Sequence, residues 1–319
     1  MLLELGISLL VLLFTLFFWI IITAPFPRPS TPKEQTFAHL KSRKHGRFPT
    51  FDQSPTMDLS IVIPAYNETK RLSKMLDEAC AYLKSRLLKA SDFSFEILVV
   101  DDGSKDATTD LAMKYGRAFL KTLDSEAHNV DFRVMTLEKN RGKGGAVTQG
   151  ILASRGQLIL FADADGASKF SDLSKLEKEM SKMENKKQGG VVIGSRAHLV
   201  KSEAVVKRSF IRNILMKGFH VLVSLFGVKG IQDTQCGFKL FTRESAKAIF
   251  KNMHVEGWIF DIEVLILAEK QGIKVKEVGI DWHEVEGTKL NLTRDAIWML
   301  KDLIMLRICY FIERYKIKI

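Results

Sequence analysis

Cysteine is scarce and scattered. Only Cys80, Cys236 and Cys309 occur in 319 residues, far apart and odd in number, which supports neither a disulfide framework nor a zinc site. A reducing compartment is the simpler expectation. Acidic charge is also in deficit: 37 Asp and Glu against 48 Lys and Arg leave a formal charge of +11. That balance suggests an acidic partner, whether nucleic acid, anionic membrane or phosphorylated substrate. The basic residues are spread along the chain and no nucleic-acid motif accompanies them, which argues against nucleic acid. Missing too are a G-x-G-x-x-G after a first strand with a suitably placed acid and a G-x-x-x-x-G-K-[ST], so neither a dinucleotide site nor a P-loop is read. His220, His254 and His283 lack metal-ligand spacing and read as structural. With 46% hydrophobic and 27% charged residues, disorder is excluded, and the length suits one large domain or two small ones.

What is present begins with an uncharged apolar run from Leu5 to Ala24, broken only by Ser8, Thr15 and Thr23. A run of about 20 such residues can cross a bilayer as a helix, and Pro25, Pro27 and Pro29 end it. A cleaved signal peptide would want a basic residue before the run and a small-residue cleavage site after it. Here Glu4 is the only charged side chain ahead, and the far end is proline-rich. Arg28, Lys33, Lys41, Arg43, Lys44 and Arg47 follow, opposed by Glu34 and Asp52, so the positive-inside rule places the body of the protein in the cytosol. We expect a membrane anchor over 1–24 and a juxtamembrane linker over 25–57, where proline and charge occur without periodicity.

From residue 58 apolar runs alternate with helical spacing. Leu59–Ile63, Glu96–Val100, Phe132–Leu137 and Leu158–Ala162 read as strands, with helices over about 69–89, 106–121 and up to Ala153 between them. Such alternation implies an α/β fold with a mostly parallel sheet flanked by helices. Three strand ends carry polar residues: Tyr66-Asn67-Glu68, Asp101-Asp102 and Asp163-Ala164-Asp165. Ligands bind at the carboxyl ends of parallel strands. Paired acids there can hold a hard divalent cation, which in turn can neutralise phosphates. A solvated turn is the alternative for Asp163-Ala-Asp165-Gly166, since Asp and Gly favour turns anyway. Arg141 and Lys143, among the glycines of Asn140-Arg-Gly-Lys-Gly-Gly145, suit a phosphate or else form an ordinary helix-starting turn with solvated charges.

Gly190–Gly194 reads as another strand, presenting Ser195 and Arg196. A helix over about 202–226 carries Lys207, Arg208 and Arg212 in its first half and is apolar later. It is either a core helix with a solvated basic end or an interfacial helix that offers cations to a lipid phosphate. Residues 296–315 make a similar amphipathic case, interrupted by Lys301, Asp302, Arg307 and Glu313, and are not read as a span. Between them lie a helix from Phe260 to near Lys270 and an edge strand over Val275–Ile280.

Ile63-Pro-Ala-Tyr-Asn-Glu68, Val99-Val-Asp-Asp-Gly-Ser104, Asn140-Arg-Gly-Lys-Gly-Gly145 and Phe161-Ala-Asp-Ala-Asp165, in that order and spacing, resemble glycosyltransferase family two, with its Rossmann-like GT-A fold. The single amino-terminal span, Val192-Ile-Gly-Ser-Arg-Ala197, Gln232-Asp-Thr-Gln-Cys-Gly-Phe-Lys239 and Gly257-Trp-Ile-Phe-Asp261 narrow the resemblance to members that load glucose onto a polyprenyl phosphate. The resemblance implies transfer of glucose from UDP-glucose to dolichyl phosphate with inversion, using Mg2+ or Mn2+. It implies a place at the endoplasmic reticulum membrane, catalytic part facing the cytosol, with the product feeding lipid-linked oligosaccharide synthesis and N-glycosylation.

Carried over by position, Pro64, Tyr66, Glu68 and Asp102 would line the uridine pocket, and Arg141 and Lys143 would lie near uracil or the diphosphate. Asp163 and Asp165 would be the metal-binding pair, with Ala164 between them among the substrate contacts. Arg196, Arg208, Arg212 and Gln235 complete the expected substrate contacts. Residues 58–200 would bind the nucleotide sugar, and 201–319 the acceptor and the membrane. The nucleophile would be a phosphate monoester, whose second pKa of about 6 leaves it largely dianionic at neutral pH, so a base is optional. Asp261 would then position the acceptor and Asp233 is a second candidate, though both are equally read as ion-pair partners. The chain lacks the Q-x-x-R-W of processive synthases, since Cys-Gly-Phe-Lys follows Gln235, which argues for a single transfer. A mannosyltransferase using GDP-mannose fits largely the same motifs. A non-catalytic, membrane-tethered binding protein would be marked by loss of the acidic pair or the basic set, and both are present. The oligomeric state is left open.

Overall fold

Uninterrupted apolar runs decide the centre of the molecule, because a parallel strand covered on both faces needs no polar alternation. The computed structural model describes residues 2–38, 40, 45–123, 129–183, 189–201, 230–285 and 292–318. In chain order its elements are α1 (Leu2–Ile22), β1 (Thr36–Ala38), β2 (His45–Arg47), β3 (Met57–Ala65), α2 (Leu72–Leu87), β4 (Phe95–Asp101), α3 (Thr108–Lys121), β5 (Val130–Thr136) and α4 (Lys143–Leu152). There follow β6 (Gly156–Ala162), α5 (Leu173–Ser181), β7 (Gly190–Ser195), β8 (Phe238–Thr242), α6 (Arg243–Phe250), α7 (Phe260–Lys270), β9 (Lys274–Gly279) and α8 (Leu292–Phe311). The main sheet has the order β5-β4-β3-β6-β8-β7-β9. Strand β3 runs parallel to β4 and β6, β4 parallel to β5, and β7 parallel to β9. The expected mostly parallel α/β sheet is therefore present.

Register puts the chemistry on one edge. Ala65 lies opposite Asp101, Asp101 opposite Thr136, and Ala162 opposite Phe238. The residues just beyond β3, β4 and β6, and just before β8, consequently share one rim. Strand β8 was not read from the sequence. It is antiparallel to both β6 and β7 and holds Lys239, fully buried, as its second residue.

The stretch 25–57, read from the sequence as a juxtamembrane linker, packs onto the domain through several of its described residues. Phe37, Leu40 and Phe51 are buried, and the Arg133 guanidinium lies over the rings of Phe37 and Phe48. The physical reason is that these aromatic residues cover a buried ion pair, Arg133 with Glu96, which lone polar chain could not shield from water.

The expected helix forms over Leu2–Ile22, and Leu10, Leu12, Phe14, Phe18, Trp19 and Ile22 on it are exposed. Among the described residues no helix is long and apolar enough to cross a membrane. Helix α8 matches the expected amphipathic carboxyl-terminal helix, but it is more than a surface element: Leu303, Leu306, Cys309 and Tyr310 enter the core while Trp298 and Phe311 face outward. The helix expected over 202–226, with Arg208 and Arg212, lies outside the described residues.

Candidate active site

Two strand-end turns are stitched together at the rim. Asn67, in the left-handed region at φ 51, donates its N–H to Ser104 Oγ at 2.8 Å and accepts the Lys105 N–H at 2.8 Å. The Glu68 N–H donates to Thr108 Oγ1 at 2.8 Å. Glu68 itself receives the Arg71 guanidinium through Nε at 2.8 Å and Nη2 at 2.6 Å. Pro64 closes β3 with Tyr66 half-buried after it. Within the Asp101-Asp102 pair the roles divide. Asp101 accepts the Ser104 N–H at 3.0 Å and the Thr109 hydroxyl, and so holds its own turn. Asp102 reaches across to the glycine turn, accepting the Arg141 N–H at 2.7 Å and the Gly142 N–H at 2.9 Å. Burial pushes the Asp102 carboxyl up to about 7, against the pull of those two amides.

The glycine turn is a site of close approach. Gly142 has φ 90, and a Cβ there would stand 2.6 Å from the Glu256 carbonyl oxygen. The Gly145 N–H donates to that same oxygen at 3.0 Å. The amides of 141, 142 and 145 are thus all taken by protein acceptors, and the expected backbone cradle for a phosphate is not formed by them. Arg141 departs from expectation in the same way. Its guanidinium is buried and donates to the Arg28 carbonyl at 2.6 Å, the Pro29 carbonyl at 2.9 Å, Glu34 at 2.8 Å and Glu256 at 2.9 Å. It is a structural pin beside the rim, its guanidinium taken by protein acceptors. The sequence could not reveal this, because Glu34 and Glu256 are remote in the chain.

Lys143 does face the rim. Its Nζ lies 2.7 Å from Asp163 Oδ1 and 2.9 Å from Oδ2. Burial would lower its pKa, but Asp163, Asp261 and Asp165 together outweigh that and hold the ammonium above the ordinary lysine range. The Asp163 N–H donates to the Gly237 carbonyl at 2.9 Å. Asp165 accepts the Ala167 N–H at 3.0 Å, so the turn reading and the site reading both hold for this residue. Burial first, and then the Asp163 charge, raise the Asp165 carboxyl. Ala164 is buried between them. Behind this pair Asp261 is buried against Lys239 Nζ, which also donates to the Cys236 carbonyl at 2.6 Å. Burial raises Asp261, opposed by Lys239 and Lys143. The Phe161 ring lies near both ammonium groups, 5.5 Å from Lys143 Nζ and 5.8 Å from Lys239 Nζ.

Arg196 and Asp233 form a two-pronged pair at 2.7 and 2.8 Å, and the Arg196 N–H donates to the same carboxylate at 2.9 Å. Asp233 is therefore an ion-pair partner, as one of its two readings had it. Gln235 is half-buried on the segment entering β8. Among the described residues no three His, Cys, Asp or Glu side chains converge as a metal-holding group.

Residues 60–250 match the family model described as "Glycosyl transferase family 2". Over 290 residues the chain is 45% identical to the dolichyl-phosphate beta-glucosyltransferase of Dictyostelium discoideum, covering 90% of this chain and 86% of that protein. Over 320 residues it is 44% identical to the dolichyl-phosphate beta-glucosyltransferase of Saccharomyces cerevisiae, covering 97% and 93%. The chain belongs to glycosyl transferase family 2, among the dolichyl-phosphate beta-glucosyltransferases. A crystal structure of glucosyl-3-phosphoglycerate synthase from Mycobacterium tuberculosis, with Mn2+, UDP-Glc and phosphoglyceric acid, is 18% identical with a TM-score of 0.48, covering 80% of this chain and 79% of that one.

In this family 2 hexosyltransferase the rim gathers Glu68, Asp102, Lys143, Asp163, Asp165 and Asp261. Sequence reading missed Arg71, Gly237, Lys239 and Trp258. Arg71 is raised by its hydrogen bond to Glu68 and also by the charges of Asp165 and Asp163; its place three residues after Glu68 on a helix start was a readable signal. Trp258 is partly exposed, its ring 5.8 Å from Lys143 Nζ. The pKa of Asp102 gives a testable slope. An unfolded Asp titrates at about 4, so between that and about 7 the folded chain holds a proton the unfolded chain lacks. Stability from this group is full below about 4 and is lost as pH rises through about 7. Asp102→Asn removes the slope. Denaturation midpoints should favour wild type progressively less, relative to the variant, across that window and stay level above it. A difference independent of pH would contradict the assignment.

Proposed function

We propose that this transferase moves glucose from UDP-glucose to dolichyl phosphate with inversion, releasing UDP and dolichyl β-D-glucosyl phosphate. The observation that carries the reading is the convergence of Asp102, Lys143, Asp163 and Asp165 on one sheet edge, in a chain of this family. Asp163 and Asp165 also suit a divalent cation: Asp163 already takes an ammonium at 2.7 Å, and burial first, then the Asp163 charge, raise Asp165, a penalty that positive charge relieves. Mg2+ or Mn2+ held by this pair would supply charge neutralisation to the diphosphate.

The rest is the work of the chain's own residues. A lipid-phosphate oxygen forms the new bond to the anomeric carbon as the bond to the diphosphate oxygen breaks, and that oxygen leaves with the electron pair. Lys143 shares its positive charge between Asp163 and the departing diphosphate. Asp261, fixed by Lys239, helps to position the incoming phosphate through Lys143, whose charge it supports, and removes no proton, since a dianionic nucleophile has none to lose. Arg196 and Gln235 are further substrate contacts, and Arg208 and Arg212, in the part assigned to the acceptor, would offer cations to the lipid phosphate. Membrane attachment through α1, at the endoplasmic reticulum and with the catalytic domain in the cytosol, is supported by the exposed apolar side chains of α1. It is supported as well by Lys301 over the rings of Trp19 and Trp298, a pairing suited to a headgroup layer.

The test is detergent-solubilised protein given dolichyl phosphate with UDP-glucose, UDP-GlcNAc or GDP-mannose in separate reactions. Lipid-linked glucose should form from the first alone. Product from GDP-mannose only would overturn the donor assignment.

A further inference from the structure

The segment directly after α1 is built into the donor site. We infer that residues 25–38 act as a strap whose Glu34 is a positioning residue for nucleotide-sugar binding, acting through Arg141 on Asp102 and Lys143. The inference rests on the donor reading above. Side-chain and backbone contacts fasten the strap along its length. The carbonyls of Arg28 and Pro29 accept from Arg141. Arg28 donates in return to the Asn140 carbonyl at 2.9 Å, and Ser30 Oγ donates to Gln149 at 2.6 Å. Glu34, itself only 4% exposed, accepts from Arg141, from the Thr31 N–H at 3.0 Å and from the Glu138 N–H at 3.2 Å.

The consequence runs along covalent bonds. Arg141 and Gly142 supply the two amides that hold the Asp102 carboxylate, and the next residue is Lys143, which holds Asp163. Pinning the Arg141 side chain therefore fixes the turn that places both groups. The far end of the strap is tied to the carboxyl terminus. Tyr315 donates its hydroxyl to the Pro25 carbonyl at 2.6 Å and stacks on His254 at 4.0 Å. The same loop that carries His254 provides Glu256, the other carboxylate on Arg141.

The experiment uses the full chain in detergent, with UDP as probe and amide hydrogen exchange as a second measurement. In Glu34→Ala the amides of Arg141 and Gly142 should exchange at least about tenfold faster, while those of β4 and β6 keep their protection. UDP affinity and the KM for UDP-glucose should weaken by about tenfold, the range of indirect coupling, with kcat at saturating donor little changed. Glu34→Gln, which keeps an oxygen acceptor, should restore most of both. If Glu34→Ala does not fold, Tyr315→Phe loosens only the far end and should move the same readouts in the same direction. Unchanged exchange at 141 and 142 overturns the strap. Faster exchange with unaltered UDP affinity overturns its role in donor binding. Failure of wild type to bind UDP at all would sink the donor reading and, with it, Glu34's role in donor binding, while the exchange data would still decide whether the strap fixes the turn.

Discussion

Gly237→Ala should leave the protein folded and lower turnover by about a hundredfold. A Cβ at that position would stand 1.9 Å from Asp163 Oδ2 and 2.2 Å from its Cγ, so the two cannot coexist in their present places. What gives way is a side chain, since the Asp163 carboxylate is 29% exposed and ends a rotatable bond. The fold has no reason to fail, and the melting temperature should move by only a few degrees. The carboxylate, however, must swing away from Lys143 and from its alignment with Asp165. A displacement of about 1 Å in a catalytic constellation costs on the order of a hundredfold in rate. The check is kcat at saturating donor and acceptor alongside a thermal melt. A variant that loses stability and activity in parallel, or keeps full turnover, would contradict this account.

Asp163→Asn and Asp165→Asn should each cut turnover by about a thousandfold, the upper scale for one electrostatic group in a water-excluded site. Both variants keep the shape of the side chain. Asn at 165 still presents an oxygen to the Ala167 N–H, so that turn survives. Asn at 163 keeps its backbone bond to Gly237 and loses only the charge opposite Lys143. Circular dichroism and melting should therefore stay close to wild type while lipid-linked sugar formation with Mg2+ or Mn2+ collapses. Full activity in either variant with metal supplied would remove the pair from the mechanism.

The sequence made much of the fold legible because parallel strands covered on both faces are plain apolar runs. Leu59–Ile63, Glu96–Val100 and Leu158–Ala162 lie within β3, β4 and β6, whose true ends extend one to two residues further. Strand β8 escaped notice because a lysine interrupts the short run Phe-Lys-Leu-Phe-Thr at its second position, and a buried lysine is tolerable only beside a carboxylate, here Asp261 in a later helix. The rim acids were legible from their positions at strand ends. Their division of labour was not: nothing local separates Asp101, which ties its own turn, from Asp102, which reaches the glycine turn. Arg141 was readable as important but its protein partners were not, because Glu34 and Glu256 are brought to it only by the fold. Glu34 itself, one acid in a proline-rich stretch, carried no periodic signal at all.

The antiparallel insertion of β8 has a consequence for synthesis of the chain. Strand β6 leaves the ribosome long before Phe238–Thr242 does, and β7, made in between, pairs with β8 and not with β6. The nascent protein therefore carries an apolar strand with one unpaired edge, an invitation to mispairing, until about three-quarters of the chain has emerged. Asp163 gains its Gly237 neighbour at that same moment. A ribosome-stalled chain ending short of β8 would therefore be both inactive and prone to aggregate, and the rim waits further for Asp261 and the sheet for β9.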